Sequence, residues 1–302
     1  MNFVQKFLTV SLLFFLKIYM SDAKITITDL YEAKKKGQKI VAVSCYDYTT
    51  ALLLSKTDAQ MVLVGDSAAQ IMLGFESTLP AKMDYMVEIT AGVKRAISKK
   101  FLVADMPFLS YQTGIAEAIK NAGRFVTEAG ADMVKIEAST PYLDVIKSIS
   151  NAGIAVMAHI GIRPQNIAKT GKYRAEATEA QMAYELIKLA EQMVYAGASM
   201  LLLEGTACEV AEIITKQSPV PTISCGSGVN CDGQILIAPD ILGLLTGPAP
   251  KFSKRYADIA SQTIGAFNNY FDDIVSGKFP DDGHSYHTKP GELEKLKKML
   301  ER

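Results

Sequence analysis

Five ionisable residues each close a short apolar run in this chain. Asp66 follows MVLVG, Asp105 follows FLVA, Glu137 follows MVKI, His159 follows IAVMA and Glu204 follows MLLL. An Asp at such a position can cap the next turn, and a His can sit satisfied in a core. Glu204 is harder to explain that way, because burying an unpaired carboxylate is costly. The recurrence on run after run is what argues for chemistry. If the runs converge on one rim, four carboxylates crowd together, and like charges so close repel unless a cation or a proton lies among them. Oxygen-only ligands with positions left open for water and substrate suit Mg²⁺. Lys135 lies two residues before Glu137, on the same face of an extended segment. An inward ammonium there would hold a substrate carboxylate or serve as counter-ion to the acids.

The elements that must position these groups are legible as a repeat. Apolar runs at 40–45, 61–64, 101–104, 133–136, 154–158, 200–203 and 220–224 show no alternation, as expected of strands buried on both faces of a parallel sheet. Pro221 fits only the first turn of its strand. Helical patterns at 83–98, 115–129 and 179–196 separate the runs. The tripeptides Ala129-Gly130-Ala131, Ala152-Gly153-Ile154 and Ala196-Gly197-Ala198 place a Gly between helix and strand, where a left-handed cap is wanted. Seven runs plus a weaker eighth at 241–245 predict a (β/α)8 barrel, whose strand C-termini share one rim.

The 302 residues carry 49% apolar and 21% charged side chains, with 32 Lys and Arg balancing 32 Asp and Glu. This is the composition of a globular protein, without a whole-molecule field to draw nucleic acid or an anionic membrane. Cys45, Cys208, Cys225 and Cys231 are too few and scattered for a disulfide framework and suit reduced thiols in a cytoplasmic protein. Residues 1–20 form an apolar extension resembling a signal peptide, or stand upstream of a true start at Met20, the reading preferred here. A single catalytic domain is expected over 21–288, with a helix within 252–276, and a charged tail helix over 289–302.

The motifs resemble those of the ketopantoate hydroxymethyltransferase family. They are AVSCYDY (42–48), LVGDS (63–67), GFESTLP (74–80), ADMPF (104–108), MVKIE (133–137), HIGIRPQ (159–165), DGQIL (232–236), PKF (250–252) and HSYH (284–287). Their order matches over nearly the whole chain. The segment 224–228 reads SCGSG where the family favours G-x-G-A-G, and a tight turn explains its glycines better than a phosphate loop.

The resemblance implies a barrel of the phosphoenolpyruvate/pyruvate type with Mg²⁺ among Asp66, Asp105 and Glu137. Asp66, Ser67, Asp105, Lys135 and His159 would contact the keto acid 3-methyl-2-oxobutanoate, and Glu204 would be the base. It further implies 5,10-methylenetetrahydrofolate as co-substrate, a place in pantothenate synthesis, and a homo-oligomer, decameric in the family. Small molecules are the expected partners, with neither nucleic acid nor membrane. A lyase or phosphomutase of the same barrel class is the nearest rival, but the cysteine base in a short glycine-flanked loop that marks the lyases is missing here. A non-catalytic barrel that only binds a chelated keto acid would have no need of Glu204.

Overall fold

The computed structural model describes residues 23–301; the expectation about residues 1–20 lies outside them. The strands are β1 (Ile40–Ser44), β2 (Met61–Val64), β3 (Phe101–Asp105), β4 (Met133–Glu137), β5 (Val156–Gly161), β6 (Met200–Glu204), β7 (Thr222–Cys225) and β8 (Gly233–Ile237). All neighbours pair in parallel, and β8 returns to β1, closing the barrel. The expected fold class holds, with one correction. The eighth strand is Gly233–Ile237, overlapping the DGQIL motif, and not residues 241–245. Pro239 and Ile241 belong instead to a single helical turn, Ala238–Leu242. Proline early in a turn is preset for a helix, whereas Gly233 and Gln234 break the apolar run that would have marked the true strand.

The helices of seven residues or more are α1 (Ile27–Lys35), α2 (Tyr48–Leu54), α3 (Met83–Ala96), α4 (Ile115–Thr127), α5 (Leu143–Asn151), α6 (Ala180–Tyr195), α7 (Cys208–Gln217), α8 (Ile259–Val275) and α9 (Glu292–Leu300). The described residues group into two compact units: 23–238 with Pro250–Ser253, and Pro239–Ala249 with 254–301. The first unit contains the barrel and α1 to α7; the second contains α8 and α9.

Strand parity divides the first unit's apolar residues into two cores. Outward side chains such as Val62, Leu102, Val134, Ile136, Ala158 and Leu203 pack under the helices. Inward ones, including Leu63, Val103, Leu202, Ile223 and the methionines Met61, Met133, Met157 and Met200, fill the barrel itself. Unbranched methionine adapts to a tapering interior. This apolar plug stops one layer below the C-terminal rim, where the inward positions become Asp105, Lys135, Glu137, His159 and Glu204. At the opposite rim, acids serve as staples: Asp232 accepts the Thr222 N–H at 2.8 Å and pairs with Lys34 at 2.7 Å.

Candidate active site

Register brings the polar layer together. Asp105 pairs with Lys135 across β3 and β4, Glu137 with His159 across β4 and β5, and Gly161 with Glu204 across β5 and β6. Asp66 stands two residues past β2, and its N–H donates to Asp105 Oδ2 at 3.0 Å. Lys135 Nζ lies 2.8 Å from Asp105 Oδ1 and 3.2 Å from His159 Nδ1. On its other side the imidazole presents Nε2 to Glu204 Oε2 at 3.3 Å. An ammonium can only donate, so Nδ1 accepts and the neutral ring carries its proton on Nε2, toward Glu204. His159 lies inside β5, because that strand runs on to Gly161 rather than ending at Ala158. Ser67 is half-buried, with its Oγ 2.8 Å from the Tyr46 hydroxyl.

Asp66, Asp105, Lys135, Glu137 and His159 are all buried, while the Glu204 side chain keeps 20% of its surface exposed. Burial pushes the Asp105 carboxyl up to about 8, against the pull of Lys135 and reinforced by Asp66. Burial likewise raises Glu137 well above the usual carboxylate range, with Lys135 opposing and Asp66 and Asp105 adding to it. For Lys135 burial favours the neutral amine, but the fields of Asp105, Asp66 and Glu137 outweigh it and raise its pKa. His159 is lowered by burial and by Lys135, against Glu204. One ammonium therefore serves three buried carboxylates, and the imidazole is kept neutral.

Three further residues complete the site and carried no signal as single letters. Gln165, in the one-turn helix Pro164–Asn166 after β5, donates its backbone N–H to both Glu137 oxygens at 3.1 and 3.0 Å and its amide Nε2 to Asp66 Oδ2 at 2.8 Å. The buried Tyr111 hydroxyl donates to Gln165 Oε1 at 2.7 Å. Tyr173, in the loop that follows Gln165, has its pKa raised by burial and then by the fields of Glu137, Glu204 and Asp66. The proximity of Gln165 to Glu137 in the chain, 28 positions apart, conveys nothing until β4 and β5 are known to be neighbours.

Among the described residues, no three His, Cys, Asp or Glu side chains stand in a ready metal-ligand arrangement. Lys135 and Gln165 lie among the acids and engage them. The donor set nevertheless fits a hard divalent cation. It is all oxygen, its carboxylates outnumber the local cations, and Asp105 Oδ1 has no hydrogen bond even though Lys135 lies within ion-pair distance. The glycines of 224–228 serve turn geometry, as expected. Gly226 has φ +71, and a side chain there would strike Phe252 of the PKF motif at 2.5 Å. Ser227 Oγ ties the loop to the Leu203 carbonyl at 2.8 Å.

A profile of the ketopantoate hydroxymethyltransferase family matches residues 24–282. The chain belongs to that family. It is 41% identical over 264 residues to the 3-methyl-2-oxobutanoate hydroxymethyltransferase of Moorella thermoacetica, covering 87% of this chain and 98% of the relative. The enzyme of that name from Hyperthermus butylicus is 43% identical over 277 residues, covering 92% and 96%. The chain is thus an enzyme, a transferase of hydroxymethyl groups. Among solved structures, a phosphonopyruvate hydrolase bound to oxalate and Mg²⁺ superposes with a TM-score of 0.55 at 13% identity, covering 92% of this chain and 98% of the other. A 2,3-dimethylmalate lyase of the phosphoenolpyruvate mutase/isocitrate lyase superfamily gives 0.54 at 14%, covering 92% and 94%. These likenesses show the fold, a closed (β/α)8 barrel.

Proposed function

We propose that this enzyme transfers the one-carbon unit of 5,10-methylenetetrahydrofolate to C3 of 3-methyl-2-oxobutanoate, in a Mg²⁺-dependent reaction that yields ketopantoate for pantothenate synthesis. The observation that carries this reading is the meeting of Asp66, Asp105, Glu137, Lys135 and Glu204 on one rim of the barrel. Asp66, Asp105 and Glu137 would hold the cation. Bound there, Mg²⁺ supplies positive charge that makes C3 of a chelating keto acid more acidic.

The chain's own groups account for the remaining steps. Lys135 and the Ser67 hydroxyl orient the substrate carboxylate, so that C3 faces Glu204. Glu204 takes the C3 proton as the C–H bond breaks. The Nε2–H of His159, 3.3 Å away, steadies the carboxylate without protonating it, because burial keeps the ring neutral. The electron pair left on C3 bonds to the methylene carbon, both of whose bonds to folate nitrogens break with their electrons going to those nitrogens, which take up the C3 proton and one proton of a water molecule. Water supplies the oxygen of the new hydroxymethyl group. Holding both reactants on one rim contributes on the order of 7–11 kcal/mol in favourable cases.

Small molecules are the proposed partners, and the reaction is placed in the cytoplasm. Among the described residues no helix is long and apolar enough to cross a membrane. Self-association as a homo-oligomer is proposed from the apolar face of α8.

The test is to assay ketopantoate from the two substrates with and without Mg²⁺, and in parallel to follow C3 proton exchange in D₂O without folate. Mg²⁺-dependent product with Mg²⁺-dependent exchange is expected. Glu204→Gln should bind keto acid within a few-fold of wild type and lose exchange by at least about 100-fold. Retained exchange would reject Glu204 as the base.

A further inference from the structure

Gln165 is committed at every polar atom of its side chain. Its Nε2 donates to Asp66 Oδ2 at 2.8 Å and to the Met106 carbonyl at 3.0 Å. Its Oε1 accepts from the Tyr111 hydroxyl at 2.7 Å and from Gln112 Nε2 at 3.3 Å. Those partners permit one amide orientation: a flipped amide would set Oε1 against two acceptors and Nε2 against two donors. Tyr111 is immobilised in turn. It is 1% exposed, its ring meets Tyr142 edge-on at 5.4 Å, and its hydroxyl also lies 3.3 Å from the Glu137 carbonyl. A rigid chain of contacts thus runs from Tyr142 through Tyr111 and Gln165 to Asp66.

The same residue grips a second acid through its backbone. The Gln165 N–H reaches both Glu137 oxygens, at 3.1 and 3.0 Å, so one residue sets where two of the three proposed ligand carboxylates stand. Engaging Asp66 through Oδ2 alone leaves Oδ1 for another ligand. Burial of Gln165, at 4% exposure, keeps water from competing for these contacts. Core packing alone would not need an amide aimed at a carboxylate, since an apolar side chain would fill the space without polar atoms to satisfy.

We infer that Gln165 is the positioning residue of the cation site. It presents Asp66 and Glu137 at a set spacing and thereby determines divalent-cation affinity, while touching neither the reacting carbon nor the base. The inference rests on the Mg²⁺ reading given above. Partners that orient metal ligands in this way typically change affinity by about 10- to 100-fold when lost.

The experiment titrates purified full-length protein with Mn²⁺, read by calorimetry and by loss of the free-ion paramagnetic resonance signal. It compares wild type with Gln165→Leu and Tyr111→Phe. Gln165→Leu keeps the backbone N–H to Glu137 and removes the arm on Asp66 together with the amide's contacts to Met106, Tyr111 and Gln112; Tyr111→Phe keeps that arm and removes the hydroxyl's bond to the amide and its contact with the Glu137 carbonyl. Expected is a 10- to 100-fold weaker Mn²⁺ Kd for Gln165→Leu and a smaller weakening, about three- to tenfold, for Tyr111→Phe. Excess Mg²⁺ should restore kcat in both, with the Mg²⁺ requirement shifted to higher concentration, whereas a merely structural defect would lower kcat at every Mg²⁺ concentration. A folded Gln165→Leu with a Kd within twofold of wild type overturns the inference and leaves the Mg²⁺ reading standing. Should Gln165→Leu not fold, Tyr111→Phe decides by the same twofold criterion. Wild-type protein that binds no Mn²⁺ overturns the Mg²⁺ reading and this inference with it.

Discussion

Lys135 is the residue on which the acids depend. It is buried with Asp105 at 2.8 Å, and the fields of Asp66 and Glu137 add to its hold on a proton. Removing one partner of a buried ion pair costs about 3–5 kcal/mol, because the other charge is left uncompensated. Lys135→Met should therefore lower unfolding stability by that amount in urea titrations without added metal. A loss under about 1 kcal/mol would show that the carboxylates fold neutral. Just past β1, Cys45 is fully buried, and burial raises its thiol from 9.0 to about 11. The unfolded thiol thus ionises first, so the stability it contributes is whole below pH 9 and is lost between pH 9 and about 11. Cys45→Ala should flatten that decline. At pH 10 the wild type should have lost about 1.4 kcal/mol more than the variant, each measured against its own value at pH 8. Equal losses would place the thiol in contact with solvent.

At the scale of elements, β5 and β6 approach closely at their C-terminal ends, and Gly161 makes the approach possible. Its φ is +90, and a Cβ there would lie 2.3 Å from the Glu204 carbonyl oxygen and 2.7 Å from Thr206 Oγ1. Gly161→Ala should cost about 2–4 kcal/mol, from left-handed strain and overpacking together. It should also shift Glu204 and lower kcat at least about tenfold, which thermal melts and turnover would both register. An unchanged kcat with a lowered melting temperature would mean that β6 yields without moving its last side chain. Seven strands were readable because a strand buried on both faces spells itself as an apolar run. β8 was not, because Gly233 and Gln234 interrupt it, and Gln234 is exposed. The rim acids were readable for a related reason: a charge that ends an apolar run must face somewhere, and a barrel leaves one place. Gln165, Tyr111 and Tyr46 were not, since amides and phenols are ordinary in cores and these three acquire their partners only through barrel closure. The pairing of Lys135 with Asp105 likewise depends on β3–β4 register, which spacing along the chain does not contain.

At the scale of the whole molecule, α8 carries an exposed apolar face among the described residues. Ile264, Phe267, Phe271 and Ile274 recur at spacings of three and four, which places them on one helical face, and each is about half exposed. Phe267 and Phe271 stack at 6.3 Å, so the face is already ordered. Contiguous exposed apolar surface of this kind marks an association site, and the partner proposed for it above is a second copy of the chain. In a two-fold contact each substitution acts twice, once from either subunit. A buried Phe contributes about 1.5–3 kcal/mol, so losing two should weaken association by at least about 100-fold. Phe267→Asp combined with Phe271→Asp should therefore convert the assembly to smaller species by light scattering at micromolar protein. The barrel should remain folded by circular dichroism, since its cores lie in a different unit from α8. C3 proton exchange should persist too, because every residue assigned to that step lies on the barrel rim. An unchanged mass would remove α8 from the interface. A lower mass together with lost exchange would mean that the rim is completed only within the assembly, which ties oligomerisation to chemistry and not to stability alone.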